Sequence, residues 1–196
     1  FAPNGWQNLE QAFKKYEDKV LEKAGLIQKN DKNKFYDRFR NRIMFPIINE
    51  KGTVIGFGGR VIDSEDNPKY YNSPETPLFQ KSYELYGLVY ARKPIREKSY
   101  VLVVEGYMDV VGLAQHGVRN VVATLGTATT IYHLKKLMRY TQEIIFCFDG
   151  DSAGQKAAWR ALMNALNAIT DNVRLKFLFL PDNHDPDSFI RENSQQ

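Results

Sequence analysis

Acidic side chains recur just after short apolar runs in the second half of the chain. If those runs are parallel strands, their carboxyl ends meet at one edge of a sheet, where such sheets bind their ligands. We therefore expect the acidic side chains to lie close together. Each follows one of three runs: Glu105 the first, Asp149 and Asp151 the second, and Asp185 and Asp187 the third.

Converging carboxylates repel one another and raise each other's pKa, so they are a poor choice for stability alone. They suit divalent cations, because Mg²⁺ or Mn²⁺ takes hard oxygen ligands and can assist phosphoryl transfer. Gly150 permits a tight turn between Asp149 and Asp151, and Asp109, four residues past Glu105, is near enough to join the group. The alternative is that these aspartates cap helices, Asp151 at the next helix and Asp185 or Asp187 at a short helix over 186–192.

Basic and aromatic residues are concentrated in the first half. Three arginines alternate with other residues over 38–42, which on a strand would place their guanidinium groups on one face. Such a face could hold phosphates, and nearby tyrosines could stack on bases. The alternative is a solvated edge strand protected by its charge. The candidate nucleic-acid or nucleotide contacts are Arg38, Arg40, Arg42, Arg60, Lys69, Tyr70, Asn72 and Lys81, with Tyr71 beside them.

The second half alternates short apolar runs with helical periodicity, which is typical of a parallel sheet covered by helices. Its loop over 125–127 follows a strand, so the loop backbone could approach the acidic residues. The predicted strands are 100–104, 120–123, 143–148 and 173–180, and the predicted helices are 107–116, 130–140 and 153–169.

The first half predicts a mixed arrangement. An amphipathic helix is expected over 7–25, and two strands, 42–49 and 54–62, are expected to form a hairpin. Pro46 argues against a central position for the first of these strands, and the glycine-rich run 56–59 fits a twisted strand better than a phosphate loop. A short helix is expected over 82–93 and a polar boundary at 94–99, giving a basic mixed α/β subdomain over 1–97 and the parallel-sheet subdomain over 98–196.

Composition is that of a globular protein, with 43% hydrophobic and 26% charged residues among 196. The net charge of +4 divides unevenly: residues 1–99 hold 18 Lys and Arg against 13 Asp and Glu, and the remainder hold 9 against 10. This division predicts a polyanion-binding half and a cation-binding half. Cys147, the single cysteine, is expected in the core and excludes a cysteine-based zinc site. No apolar run is long enough to span a bilayer. Because the chain begins at Phe1 and not Met, we expect it to be a piece of a longer protein.

Seven segments together resemble a known family. Three of them resemble the TOPRIM domain, which primases, topoisomerases and some nucleases share. The others resemble bacterial DnaG-type primases, and the resemblance covers nearly the whole chain in the right order. The TOPRIM-like segments are VVEGYMDV (103–110), ATLGT (123–127) and FDGDSAG (148–154); the primase-like segments are YDRFRNRIMFPI (36–47), GFGGR (56–60), PKYYNSPET (68–76) and FQK with LYGL (79–81 and 85–88).

The resemblance implies roles for individual residues. Glu105 matches an acid or base near the reacting hydroxyl, while Asp149 and Asp151 match a metal-binding pair. Asp109, Asp185 and Asp187 match further acidic positions of the same cluster, so the catalytic set would be Glu105, Asp109, Asp149 and Asp151 and the metal set Glu105, Asp149, Asp151, Asp185 and Asp187.

The resemblance also implies an activity and partners. These are primer synthesis from ribonucleoside triphosphates on single-stranded DNA, Mg²⁺ or Mn²⁺ as cofactor, and no zinc within this part. A replicative helicase would bind through a C-terminal module outside the chain, and the protein would be a cytoplasmic monomer at the replication fork. Three alternatives stay open. The first is a TOPRIM enzyme that cuts DNA; if it were a topoisomerase, Tyr107 would have to be its nucleophile. The others are a non-catalytic nucleic-acid-binding module and a phosphohydrolase with Asp149 as nucleophile.

Overall fold

The computed structural model describes residues 1–62, 67–166, 168–169, 171–181 and 184–193. The chain divides into two compact units, which are described one at a time. The sequence-based boundary at residue 97 stays a prediction. The first unit comprises Phe1–Ile48 and Thr53–Gln80, and the second comprises Asn49–Gly52 and Lys81–Gln196.

The first unit is built from small antiparallel sheets. Strands β1 and β2 pair with each other, and β3, β4 and β5 form a second sheet in that order. The expected hairpin is confirmed, and Pro46 lies in β3 at the edge of its sheet, where a missing N–H is tolerated. The elements are a 3-10 helix Asn8–Gln11, α1 Lys19–Lys23, β1 Ile27–Lys29, β2 Phe35–Asp37, β3 Arg42–Ile48, β4 Val54–Val61 and β5 Tyr70–Asn72.

The continuous helix expected over 7–25 is wrong. A 3-10 turn and the short helix α1 stand at its two ends, and the residues between them are not helical. The buried carboxylate of Asp37 explains the break, because it accepts hydrogen bonds from the Leu9 amide at 3.0 Å and the Tyr16 hydroxyl at 2.8 Å. Asp18 then starts α1 by accepting from the Val20 amide at 2.9 Å. These bonds hold the segment in a shape that its helical periodicity does not anticipate.

The second unit is a four-stranded parallel sheet with helices on both faces, as the sequence predicts. The sheet order is β7-β6-β8-β9, so β6 and β8 are the central strands. Residue 167, in the predicted end of the fifth helix, lies outside the described residues. The elements are α2 Leu88–Lys98, β6 Val101–Val104, α3 Tyr107–Gln115, β7 Val121–Ala123, α4 Ile131–Leu137, β8 Glu143–Phe148, α5 Ser152–Leu166, β9 Arg174–Phe179 and α6 Pro186–Asn193.

The helix expected over 82–93 begins later and ends later than predicted. Gly87 starts α2 from a left-handed conformation with φ 83°, where a side chain would be strained and would meet Val110. Residues 94–98, expected to be a polar boundary, lie inside α2, and Pro94 is accommodated within the helix. Ile95 explains this placement, because its side chain is completely buried against the sheet core and holds the helix there.

Two apolar clusters cover the faces of this sheet. One joins α2, α4 and α5 to the strands through residues such as Ile95, Leu134 and Ala161. The other joins α3 and α6 to the strands and includes Cys147, which is buried as expected. Burial, with the nearby carboxylates Asp109 and Asp149, raises the pKa of the Cys147 thiol to about 12, so this side chain packs as an uncharged group. Among the described residues, no helix is long and apolar enough to cross a membrane.

Candidate active site

The ends of the two central strands bring the first predicted site residues together. Glu105 directly follows β6 and Asp149 directly follows β8, and these strands are hydrogen-bonded neighbours. Burial raises the pKa of Glu105, and the charges of Asp149 and Asp151 raise it further, while Arg160 opposes them. Burial likewise raises the pKa of Asp149, with Asp185 and Asp151 adding to it. The carboxylates therefore lie close together, as expected, and neighbouring negative charges raise the pKa values of Glu105 and Asp149.

Asp109 is the most deeply buried member of this group. It lies in the first turn of α3, where its Oδ2 accepts a hydrogen bond from the Gly106 amide at 3.0 Å. Burial raises the pKa of Asp109 to about 7 despite that bond, and the charges of Asp149, Asp185 and Asp187 push it the same way. We call the whole set the acidic edge; it comprises Glu105, Asp109, Asp149, Asp151, Asp185 and Asp187.

Two aspartates of the acidic edge also cap helices, which is the alternative that the sequence left open, and a third forms an ion pair. Asp151 accepts from the amides of Ala153 and Gly154 at 2.9 and 2.8 Å, so it caps α5. Asp185 accepts from the Ser188 amide at 2.7 Å at the start of α6, and Asp187 forms a forked pair with Arg191 at 3.1 and 2.8 Å. Among the described residues, no three His, Cys, Asp or Glu side chains are already arranged around one metal position.

The donor set of the acidic edge nevertheless fits a divalent cation. All its side chains are carboxylates, the hard oxygen ligands that Mg²⁺ and similar ions take. Burial and neighbouring carboxylates raise the pKa values of Glu105, Asp109 and Asp149, so their ionised forms repel one another. A divalent cation at this edge would reduce that repulsion.

Two glycines permit the close packing that places Asp149. A Cβ on Gly150 would collide with the carbonyl oxygens of Leu180 and Pro181 at the end of β9, and one on Gly154 would collide with the Asp149 carbonyl. The turn after β8 is therefore pressed against the turn after β9. This contact explains why glycines stand at these two positions of the FDGDSAG segment and how Asp185 comes near Asp149.

A cavity of about 350 Å³ opens beside Glu105. The loop that follows β7, including Gly126 and Thr127, lines it together with Arg160 of α5, so this loop does approach the site as expected. Asn164 holds the loop in place by donating to the Thr129 carbonyl at 2.7 Å. Sequence reasoning missed Arg160 and Asn164, because nothing local marks two residues in the middle of a helix as neighbours of this loop.

Tyr107 is buried at the start of α3, where its ring lies edge-on to that of Tyr86 with centroids 5.3 Å apart. A nucleophilic tyrosine must reach its substrate, whereas this ring packs in the interior. The topoisomerase alternative, which needed Tyr107 as nucleophile, is therefore disfavoured.

The arginines of the first unit do not lie on one strand, so that part of the prediction is wrong. β2 ends at Asp37 and β3 begins at Arg42, and between them Asn41 adopts a left-handed conformation with φ 48°. This link still gathers Arg38, Arg40 and Arg42, which together line a cavity of about 360 Å³ with Trp6 and Tyr71. We call this cavity the arginine cleft.

The guanidinium groups of the three arginines differ in their burial and in the contacts they make within the first unit. Arg38 donates to the Asn72 carbonyl at 3.2 and 3.0 Å, and burial lowers its pKa. Arg42 is buried and donates to the Pro68 carbonyl at 2.8 Å. Arg40 is half-buried, donates a hydrogen bond from Nη1 to the Asp37 carbonyl at 2.9 Å, and lies over the ring of Trp6 with its guanidinium carbon 4.0 Å from the centroid. Arg40 is therefore the best placed of the three to meet an anion.

The remaining basic-half candidates are spread more widely. Arg60 pairs in register with Tyr70, whereas Tyr71 pairs with Gly59, so pleating places Arg60 and Tyr70 on the sheet face opposite Tyr71. Lys69 is exposed, with its Nζ 5.8 Å from the Tyr70 ring centroid. The Asn72 carbonyl accepts from Arg38 in the arginine cleft, and Lys81 belongs to the second unit.

The fold and the acidic edge together define a TOPRIM domain, and residues 102–190 match the family described as Toprim-like. A TOPRIM domain implies the use of a divalent metal ion. Residues 1–92 match a second family, described as DNA primase catalytic core, N-terminal domain. The chain belongs to the DnaG-type family of bacterial DNA primases, within their catalytic core.

Individual relatives agree with this assignment. DNA primase from Neisseria meningitidis is 59% identical over 191 residues, which are 97% of this chain and 32% of that protein. A crystal structure of a DNA primase domain from Pseudomonas aeruginosa is 53% identical with a TM-score of 0.93, covering all of this chain and 61% of that one. A DnaG primase catalytic domain bound to single-stranded DNA is 50% identical with a TM-score of 0.90, covering 100% of this chain and 63% of that one. The chain spans about a third of the length of the curated relatives it matches.

Proposed function

We propose that this chain carries the catalytic centre of a DNA primase, a DNA-dependent RNA polymerase that makes short RNA primers on single-stranded DNA. The observation that carries the proposal is the acidic edge, where Glu105 and Asp149 follow neighbouring strands and the charge of Asp149 raises the pKa of Glu105. Membership of the primase family supports it, as does the relative that binds single-stranded DNA.

In the proposed reaction, the 3′-hydroxyl of one ribonucleotide attacks the α-phosphate of the next, and pyrophosphate leaves. Glu105 accepts the hydroxyl proton, for which its raised pKa makes it a better base than an ordinary glutamate. Asp109, with a pKa of about 7, remains inside the cluster and holds the Gly106 turn that orients Glu105. Arg160, on the cavity wall, offers a positive charge to the phosphates.

The metal ion, as Mg²⁺ or Mn²⁺, would be held by Asp149 and Asp151, with Glu105, Asp185 and Asp187 within the same charge cluster. When bound, it supplies positive charge that stabilises the attacking and leaving oxygens of phosphoryl transfer. Because Asp151 uses only its Oδ1 to cap α5, its Oδ2 is directed to this purpose.

The further partners follow from the same proposal. The arginine cleft, with Arg60, Lys69, Tyr70, Asn72 and Lys81, would contact the template strand and the ribonucleoside triphosphates. A replicative helicase would bind elsewhere in the longer protein, which would act as a monomer in the bacterial cytoplasm at the replication fork.

Extension of an RNA primer annealed to a single-stranded DNA template tests this function without requiring initiation. We expect the purified chain to add ribonucleotides with Mg²⁺ present and to add none after chelation. If a folded chain binds the template but adds no ribonucleotide under any divalent metal, the catalytic proposal is wrong and the binding-module alternative is favoured. Cleavage of the template would instead favour a nuclease.

Replacing Arg40 with glutamine tests the arginine cleft. We expect affinity for single-stranded DNA to fall several-fold and the slope of log affinity against log salt to decrease by about one, because one phosphate contact is lost. Fluorescence anisotropy titrations between 50 and 200 mM salt, roughly the range in which such contacts matter, measure both quantities.

Lys32→Gln is the matched control, because it removes an exposed positive charge from the same unit outside the cleft. This control should keep the native salt slope. If the salt slope of Arg40→Gln is unchanged, the cleft does not bind phosphate through Arg40, and the alternative of a solvated, charge-protected surface is favoured.

A further inference from the structure

Two tyrosine rings in the second unit stack on each other at the surface. The ring centroids of Tyr83 and Tyr132 lie 4.0 Å apart with an angle of 24° between the planes. The side chains remain 38% and 44% exposed. Burial of apolar area does not account for this arrangement, because a pair placed for core packing would be covered on its outer faces as well.

The backbone that carries this tyrosine pair is firmly attached. Tyr83 lies in the turn over 81–84, and Tyr132 lies in the first turn of α4. The Thr130 hydroxyl donates to the Ser82 carbonyl at 2.6 Å, and the completely buried ring of His133 bonds the Lys81 carbonyl at 2.8 Å. The two rings are therefore held in place before any ligand arrives, which reduces the entropy lost on binding.

The tyrosine pair is next to the candidate active site along the chain. Thr129 lines the cavity beside Glu105, Thr130 caps α4, and Tyr132 follows two residues later. The loop that lines the cavity therefore leads directly into the first turn of α4, which carries Tyr132.

The charges around the tyrosine pair favour an anionic ligand. Glu84, the nearest acidic residue in the 81–84 turn, is neutralised by Lys136 at 3.0 Å, which also lies 3.6 Å from Glu50. Lys135, exposed on α4, makes no ion pair among the described residues. A phosphate backbone can therefore approach these rings without meeting an unpaired carboxylate in the turn.

We propose that Tyr83 and Tyr132 form a stacking platform for a nucleobase of the single strand that the acidic edge acts on. Aromatic side chains bind bases of any sequence through their faces, while nearby cations hold the backbone. The platform rests on the proposed function, because it is useful only if a nucleic-acid strand reaches the Glu105 cavity. It would fix the position of the strand at the entrance to the site without reading its sequence.

The test measures the affinity of a fluorescent single-stranded oligonucleotide for the native chain and for Tyr83→Ala, Tyr132→Ala and the double variant. We expect the double variant to bind about tenfold more weakly, since stacking of one base is lost. Tyr83→Phe and Tyr132→Phe keep the ring faces and should bind as the native chain does. Tyr90→Ala, which removes an exposed tyrosine from α2, is the control and should also bind normally.

A second measurement separates stacking from a general loss of structure. The oligonucleotide is the shortest one that binds, so that it cannot shift its register. One abasic position, moved along its length, should then weaken binding to the native chain about tenfold at one position. The double variant, whose melting temperature should match that of the native chain, should lose this sensitivity. Native affinity in a folded double variant overturns the platform alone, whereas a native chain that binds no single-stranded DNA overturns the proposed function and the platform together.

Discussion

Replacing Asp149 with asparagine is expected to lower ribonucleotide incorporation by roughly 10³-fold while leaving the fold intact, because one charged group at the reacting centre is lost. Asp149 follows a central strand and shares the acidic edge with Glu105, Asp151 and Asp185. Its raised pKa means that ionised Asp149 costs free energy in the metal-free fold. Asparagine keeps the shape of the side chain and removes that charge. Primer extension at saturating Mg²⁺ measures the activity, and thermal unfolding without metal measures the stability.

The variant should lose activity without losing thermal stability. Activity collapses, whereas the metal-free melting temperature stays the same or rises, because a repulsion has been removed. Glu105→Gln should behave in the same way, since burial and the charges of Asp149 and Asp151 raise the pKa of Glu105. Asp171→Asn, an exposed position in the same unit, is the control and should change neither quantity. Normal RNA synthesis by folded Asp149→Asn would remove the acidic edge from the mechanism.

The acidic edge could be predicted because its information is local. Glu105 and Asp149 stand directly after apolar runs, and parallel strands necessarily carry their carboxyl ends to one side of the sheet. The alternation of β6, α3, β7 and α4 is equally clear in the periodicity, and from β6 onward the helices and strands begin within a few residues of their predicted positions. Local patterns thus determine where Glu105 and Asp149 are placed.

What the sequence misses depends on contacts between residues far apart in the chain. The helix expected over 7–25 is interrupted by Asp37, which binds Leu9 and Tyr16 from 28 and 21 residues away. The tyrosine pair joins Tyr83 to Tyr132 in the same manner. No periodicity in either segment marks these partners, because each hydrogen bond or ring contact exists only once the other segment is in place.

The arginine cleft shows how a correct grouping can come from a wrong local structure. Alternation on a strand was the reason for placing Arg38, Arg40 and Arg42 together. Instead, the left-handed Asn41 turns the chain between two strands, and the three guanidinium groups meet around a cavity. Asparagine is one of the few residues that adopts this conformation readily, which is the only local sign of the turn.

His133 is expected to make the stability of the second unit depend on pH in the acidic range. Its ring is completely buried, with Nδ1 accepting from the Thr130 amide at 3.2 Å and Nε2 bonded to the Lys81 carbonyl at 2.8 Å. Burial lowers the pKa of His133 to about 4, and the charge of Lys136 contributes, although the bond to Lys81 opposes the shift. The fold therefore requires the neutral ring.

The direction follows from proton uptake. In the unfolded chain His133 takes up a proton near its ordinary pKa of 6.5, whereas in the folded chain it does so only near 4. The stability contributed by the neutral ring is complete above pH 6.5 and is lost as the pH falls toward 4, by roughly 2 kcal/mol between pH 7.5 and 4.5. Urea unfolding at several pH values, followed by circular dichroism, measures this loss.

His133→Gln isolates that contribution from the carboxylates that also titrate in this range. Glutamine retains an amide donor for the Lys81 carbonyl and carries no titratable proton, so the variant should be less stable at neutral pH and should lose less stability on acidification. The difference between the two pH profiles should be roughly 2 kcal/mol, because only His133 differs between the chains. His116→Gln, at the half-buried C-cap of α3, is the control and should keep the native profile. Parallel profiles for native chain and His133→Gln would mean that the buried ring accepts a proton without cost, and that His133 does not hold the 81–84 turn as a neutral group.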